Sequence, residues 1–104
     1  MTLRIHPLAS EEIVSHAAWF EGRREDLGKL FMTDVRHALT LIERSPLTWP
    51  LWPLARTRRA GIRHRPLRGF QMSVAYVVTD DGPFVIAVAH TSRRPAYWLK
   101  RILR

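Results

Sequence analysis

The sequence has no cysteine in its 104 residues, which excludes a disulfide framework and any thiolate-ligated metal site. Its five histidines are scattered, with no spacing that reads as a structural zinc site, and no cofactor is implied. No apolar run approaches the roughly 20 residues that a membrane-spanning helix needs. The opening MTLRIHPLAS lacks the charged-then-apolar layout of a signal peptide, so a cytoplasmic location is the expectation. Low-complexity tracts are also missing. With 46% hydrophobic residues, the chain can fill one core, and a single domain over residues 1–104 is expected.

Acidic residues are scarce in one half only. Residues 1–45 hold six basic and seven acidic residues, whereas residues 46–104 hold eleven basic residues and two acids, Asp80 and Asp81. Lysine is nearly absent: fifteen of the seventeen cations are arginine, whose planar fork matches carboxylates and phosphates. Codon bias and solubility account for an arginine preference. They account less well for its confinement to one half, which favours an anionic partner, either nucleic acid or an acidic protein segment.

Periodicity supplies the elements. TLRIH alternates and reads as a first strand ended by Pro7. SEEIVSHAAWFEGRR reads as a helix with Ser10 as its N-cap and Glu11 and Glu12 in the first turn, where the helix dipole favours anions. A break at Asp26-Leu27-Gly28 precedes a second helix. Its stripe is Leu27, Phe31, Val35, Ala38 and Ile42, its polar face Lys29, Thr33, Arg36, Thr40 and Glu43, and Pro46 stops it. So short a break makes the two helices an antiparallel hairpin. PLTWPLWPLART, with three prolines and two tryptophans, reads as an extended loop, and RRAGIRHRPLR as a weak cationic strand. FQMSVAYVVT places Phe70, Met72, Val74, Tyr76 and Val78 on one face. Asp80-Asp81-Gly82 signals a hairpin turn into PFVIAVAH, a strand apolar on both faces and therefore central. The tail RRPAYWLKRILR suits a short terminal helix. The expected fold is α+β, in the order β-α-α-β-β-β-(α), with the helical hairpin packed on one face of a mainly antiparallel four-stranded sheet.

The ordered combination EEIVSHAAWFEGRR, LGKLFMTDVRHALTLIERSP, the Trp-Pro loop and VIAVAHTSRRPAYWLKR resembles the RelE/ParE superfamily, the toxins of type II toxin–antitoxin modules, often called plasmid stabilisation proteins. The resemblance runs from about Ser10 to Arg101. It implies the fold above, neutralisation by a cognate antitoxin and assembly into an oligomer with it, operator DNA being reached only through the antitoxin. It implies no membrane association. RelE-like members cleave mRNA in the ribosomal A site, and ParE-like members poison DNA gyrase.

Cleavage through the RNA 2′-hydroxyl needs a base, an acid and cations around the phosphorane. The resemblance puts Gln71 where RelE-like enzymes carry a catalytic arginine, Thr91 where they carry a basic residue, and Tyr97 about where their tyrosine falls. His90, Arg93, Arg94 and Tyr97 are the candidate catalytic residues if the action is RelE-like. Two departures against one match favour ParE-like growth inhibition, with the ribosome-dependent endoribonuclease and a non-toxic antitoxin-binding relative as the alternatives. His90 shares strand parity with Phe84, Ile86 and Val88, so a histidine satisfied by the backbone is an equal reading. The expected target- or antitoxin-binding residues are Arg58, Arg59, Arg63, Arg65, Arg68, Trp49, Trp52 and Trp98. They come from a segment, Arg56–Arg68, with six arginines and no acid, and from the aromatics around it. His6, His16 and His37 receive no role.

Overall fold

The structure is a computed structural model that describes residues 2–90 and 96–102. Strand β1 (Arg4–Ile5) leads into helix α1 (Pro7–Arg23). The strand stops ahead of Pro7, as expected, and Pro7 is itself the first helical residue, where its fixed φ fits and its missing N–H costs nothing. His6, not Ser10, is the N-cap, its Nδ1 accepting from the Leu8 N–H at 3.0 Å. The helix therefore starts a turn earlier than expected, and no acid lies in its first turn.

Helix α2 (Leu27–Arg44) follows as the second arm of the hairpin. Glu21 joins the arms: its carboxylate accepts from the N–H of Asp26 and of Gly28, each at 3.0 Å. Gly28 is required by close approach, because a Cβ there would lie 2.6 Å from the Ala17 carbonyl oxygen. Phe31, Val35, Ala38 and Ile42 are buried and Leu27 is half-buried, while Lys29, Thr33, Arg36, Thr40 and Glu43 are exposed, as the stripe implies.

The sheet has the order β1-β4-β3-β2, built from β2 (Arg63–Pro66), β3 (Met72–Thr79) and β4 (Gly82–His90). β4 runs antiparallel to β3 and parallel to β1, so the longest strand is central. Asp80 and Asp81 form a two-residue turn, with Gly82 at φ 117°. A bulge interrupts the β3–β4 ladder: Ala75 faces Ala87 but Tyr76 faces Val85, leaving Ile86 as the extra residue.

That extra residue resets the alternation along β4. Val85 and Val88 enter the core under the helices, with Met72, Val74 and Tyr76 from β3. Ile86, Ala87 and Ala89 enter a second core on the opposite face, with Trp52, Ile62, Ala75, Trp98 and Leu99. The parity expected for His90 is corrected accordingly. It pairs with Met72 and shares a face with Val88, not with Phe84 and Ile86.

The hairpin covers one face of the sheet, as expected, and the other face is covered as well. The hairpin packs on the first, and helix α4 (Ala96–Leu99), continued by a tight turn at Lys100–Ile102, packs on the second. The segment expected to be loop and then strand contains a short helix, α3 (Ala55–Arg59), and the strand is confined to Arg63–Pro66. Thr57 is the reason. Its buried hydroxyl has one proton, shared between the Leu54 and Trp52 carbonyls at 2.8 and 3.0 Å, where the turn begins.

Candidate functional site

Two regions gather the side chains that carry chemistry. The first lies along the outer flank of β4. β1 covers only Phe84 and Val85 of that strand, and the ladder is extended once, by the His6 N–H to the Val85 carbonyl at 2.8 Å. Beyond that point side chains replace a neighbouring strand. The Val88 N–H donates to Glu12 Oε1 at 3.1 Å, His16 Nε2 lies 3.0 Å from the Val88 carbonyl oxygen, and Arg101 Nη1 donates to the Ile86 carbonyl at 2.9 Å. An open strand edge is thereby closed without a fifth strand.

Glu12 is the hub of this flank. Arg101 grips its carboxylate with both ends of the guanidinium, Nη1 to Oε1 at 3.1 Å and Nη2 to Oε2 at 3.0 Å, and the Tyr97 hydroxyl donates to Oε2 at 3.0 Å. The Arg101 side chain is 9% exposed and that of Glu12 17%. A charge this deep is tolerated because each oxygen has two donors. The cluster ties α1, β4 and the C-terminal helix together at one point.

The second region is the arginine segment, and the structure divides it in two. Arg63 turns inward, donating from Nη1 to the Trp49 and Leu47 carbonyls at 2.7 and 3.4 Å. The Arg65 guanidinium lies over the Trp49 ring, 4.7 Å from its centroid. Both therefore hold the Trp-Pro loop against β2. Beneath them the Tyr76 hydroxyl donates to the Pro46 carbonyl. Burial pushes that phenol up to about 12, against the charge of Arg63 and a backbone hydrogen bond at Trp49, which pull the other way. His64, 3.4 Å from Ser73 Oγ, is held below its ordinary pKa by burial.

Arg56, Arg58 and Arg59 on α3, by contrast, are exposed. Their side chains make no hydrogen bond or ion pair among the described residues. Arg68 is exposed at the rim of a surface groove of about 470 Å³, lined also by Arg24, Leu30, Asp34, His37 and Phe70.

The expected site residues are thus dispersed. Tyr97 joins Glu12 and Arg101, while His90 closes β4, half-buried. Arg93 and Arg94, with Thr91, lie outside the described residues. Trp98 is 0% exposed and Trp52 is 6% exposed, their rings packed edge to face at 5.3 Å in the second core. Trp49 lies under Arg65. Among the described residues no three histidine or carboxylate side chains converge on a point where a metal could sit.

Sequence reasoning passed over Glu12, His16 and Arg101. The first two lie four residues apart on α1, each next to a residue packed in or against the first core, Ile13 and Ala17, the spacing by which one helix line can serve one strand edge. Nothing local marks Arg101. Compared with protein-family models and with curated proteins, the sequence matches none.

Proposed function

We propose that this chain is the toxin of a type II toxin–antitoxin pair, neutralised by a cognate antitoxin and inhibiting growth by poisoning DNA gyrase. The reading rests on the resemblance from about Ser10 to Arg101. It gains support from the element order, a strand, a helical hairpin and then three strands in one sheet. The observation that favours gyrase poisoning over RNA cleavage is the engagement of Tyr97. Its hydroxyl donates to a carboxylate that already holds Arg101 and a backbone N–H. A nuclease would need that group directed at the scissile phosphate with cations around it. Gln71, in the position of an expected arginine, is exposed and uncharged, so it supplies neither a proton at neutral pH nor a positive field. Binding a protein target demands neither.

Purified protein added to gyrase and relaxed plasmid is expected to block supercoiling, and added to translating ribosomes to leave mRNA intact. Cleaved mRNA with unimpaired supercoiling would replace this reading with the endoribonuclease. Unaffected growth on expression without antitoxin would leave the non-toxic antitoxin-binding relative. An adjacent gene for a small DNA-binding antitoxin is expected beside this one.

A further inference from the structure

We infer that helix α3 is a docking surface for the sugar-phosphate backbone of duplex DNA, contacted through Arg56, Arg58 and Arg59. Three observations converge on it. The first is charge without compensation: no acidic residue occurs between Glu43 and Asp80, and these three exposed guanidiniums have no side-chain partner among the described residues. Arg63 and Arg65, a few residues away, are committed to carbonyls and a ring. The same segment therefore contains arginines that build the fold and arginines that do not.

The second is a rigid mount. Thr57 is buried, its hydroxyl proton shared between two carbonyls, and the helix is tied down at both ends. The Ile62 N–H donates to the Thr57 carbonyl at 2.9 Å and the Trp52 N–H to the Ile62 carbonyl at 2.7 Å. The Gly61 N–H donates to the Arg58 carbonyl at 3.1 Å, with Gly61 at φ 74°, a conformation that suits glycine. Little backbone ordering is left to oppose binding.

The third is spacing. Three cations on five residues occupy about 7.5 Å of helix. Each strand of duplex DNA offers one phosphate per roughly 3.4 Å of axis, whereas carboxylates on one face of a peptide helix recur about every 5.4 Å. The denser polyanion matches the denser cation cluster. A single strand would call for an open aromatic ring on which bases stack. The tryptophans nearest in sequence are not open: Trp52 is buried and the Trp49 ring lies under Arg65. Contacts of this kind set position and affinity, not sequence preference. Direct contact departs from the expectation that operator DNA is reached only through an antitoxin. It is also independent of gyrase poisoning, so either can fail alone.

The test is fluorescence anisotropy of the full chain with a labelled mixed-sequence duplex, titrated across about 50–200 mM salt. The triple variant Arg56→Gln, Arg58→Gln, Arg59→Gln is compared with Lys29→Gln, Arg36→Gln, Arg44→Gln, which removes the same charge from exposed positions on α2. All three proteins are checked by circular dichroism, and glutamine is chosen in both sets because it retains helix propensity. Losing three phosphate contacts should make the salt slope shallower by about 2.7 and weaken binding at low salt more than about tenfold. The α2 variant should keep the wild-type slope to within about one contact. Equal losses in the two variants would reduce the effect to net charge and overturn the inference. So would tighter, α3-dependent binding to a polyglutamate peptide, which would assign the surface to an acidic protein, or to an RNA duplex, which would assign it to RNA.

Discussion

Arginine does opposite work on the flank of β4 and on α3. Arg101 is buried and gripped by Glu12, and with it closes a strand edge. The α3 arginines stand in solvent on a scaffold that holds itself together without them. Arg63 lies between these cases, half-buried and spent on loop carbonyls. The difference teaches that an arginine count describes a surface only after the committed guanidiniums are subtracted. Within Arg56–Arg68 that subtraction removes Arg63 and Arg65 and leaves Arg56, Arg58, Arg59 and Arg68 exposed.

The largest effect should come from removing what delivers Arg101 to its flank. Trp98→Ala empties the largest fully buried side chain from the second core and should cost about 3–5 kcal/mol in urea unfolding. A loss below about 1 kcal/mol would mean that α4 is not anchored there. Next, Arg101→Leu leaves the Glu12 carboxylate buried without its counter-charge, a loss of about 3 kcal/mol. The double variant Glu12→Leu, Arg101→Leu should recover part of it, and simple additivity of the two single losses would contradict a coupled pair.

Tyr76 tests the intermediate region through pH. Its phenol is raised to about 12 in the folded chain against an ordinary value near 10. The unfolded chain therefore releases that proton first. The contribution is fully present below about pH 10 and is lost as pH rises toward 12, by roughly 2–3 kcal/mol. Tyr76→Phe should flatten that alkaline slope in melts taken from pH 9 to 12, and an unchanged slope would place its origin elsewhere. The smallest effect belongs to α3. Replacing Arg56, Arg58 and Arg59 with glutamine should change stability by less than about 0.5 kcal/mol, the same variant that is expected to lose DNA binding. A large stability loss would show those arginines to be committed after all, and would close the contrast with Arg101.

Much of this was legible from pattern alone. The stripe Phe31, Val35, Ala38 and Ile42 could only be one face of a helix, and the alternation from Phe70 to Val78 could only be one face of a strand. The α1 boundary was misplaced because Pro7 suits a strand end and a first helical turn equally well, and only the His6 cap decides between them. The site was less legible. Burial separates Trp98 from any exposed rim, and partner geometry separates Arg63 from Arg58, yet neither property belongs to a residue type.

By itself the sequence determined the α+β class, the helical hairpin, the central last strand and the concentration of arginine in residues 46–104, because periodicity and charge are local and additive. Tertiary structure alone decided which face each β4 residue occupies, since one bulged residue at Ile86 inverts the alternation beyond it. It also decided that Glu12 meets Arg101 across 89 positions of chain and that Arg56, Arg58 and Arg59 remain open. Those outcomes depend on which partner arrives at a group once the chain has closed, and a polar side chain counts as structural or available only by that arrival.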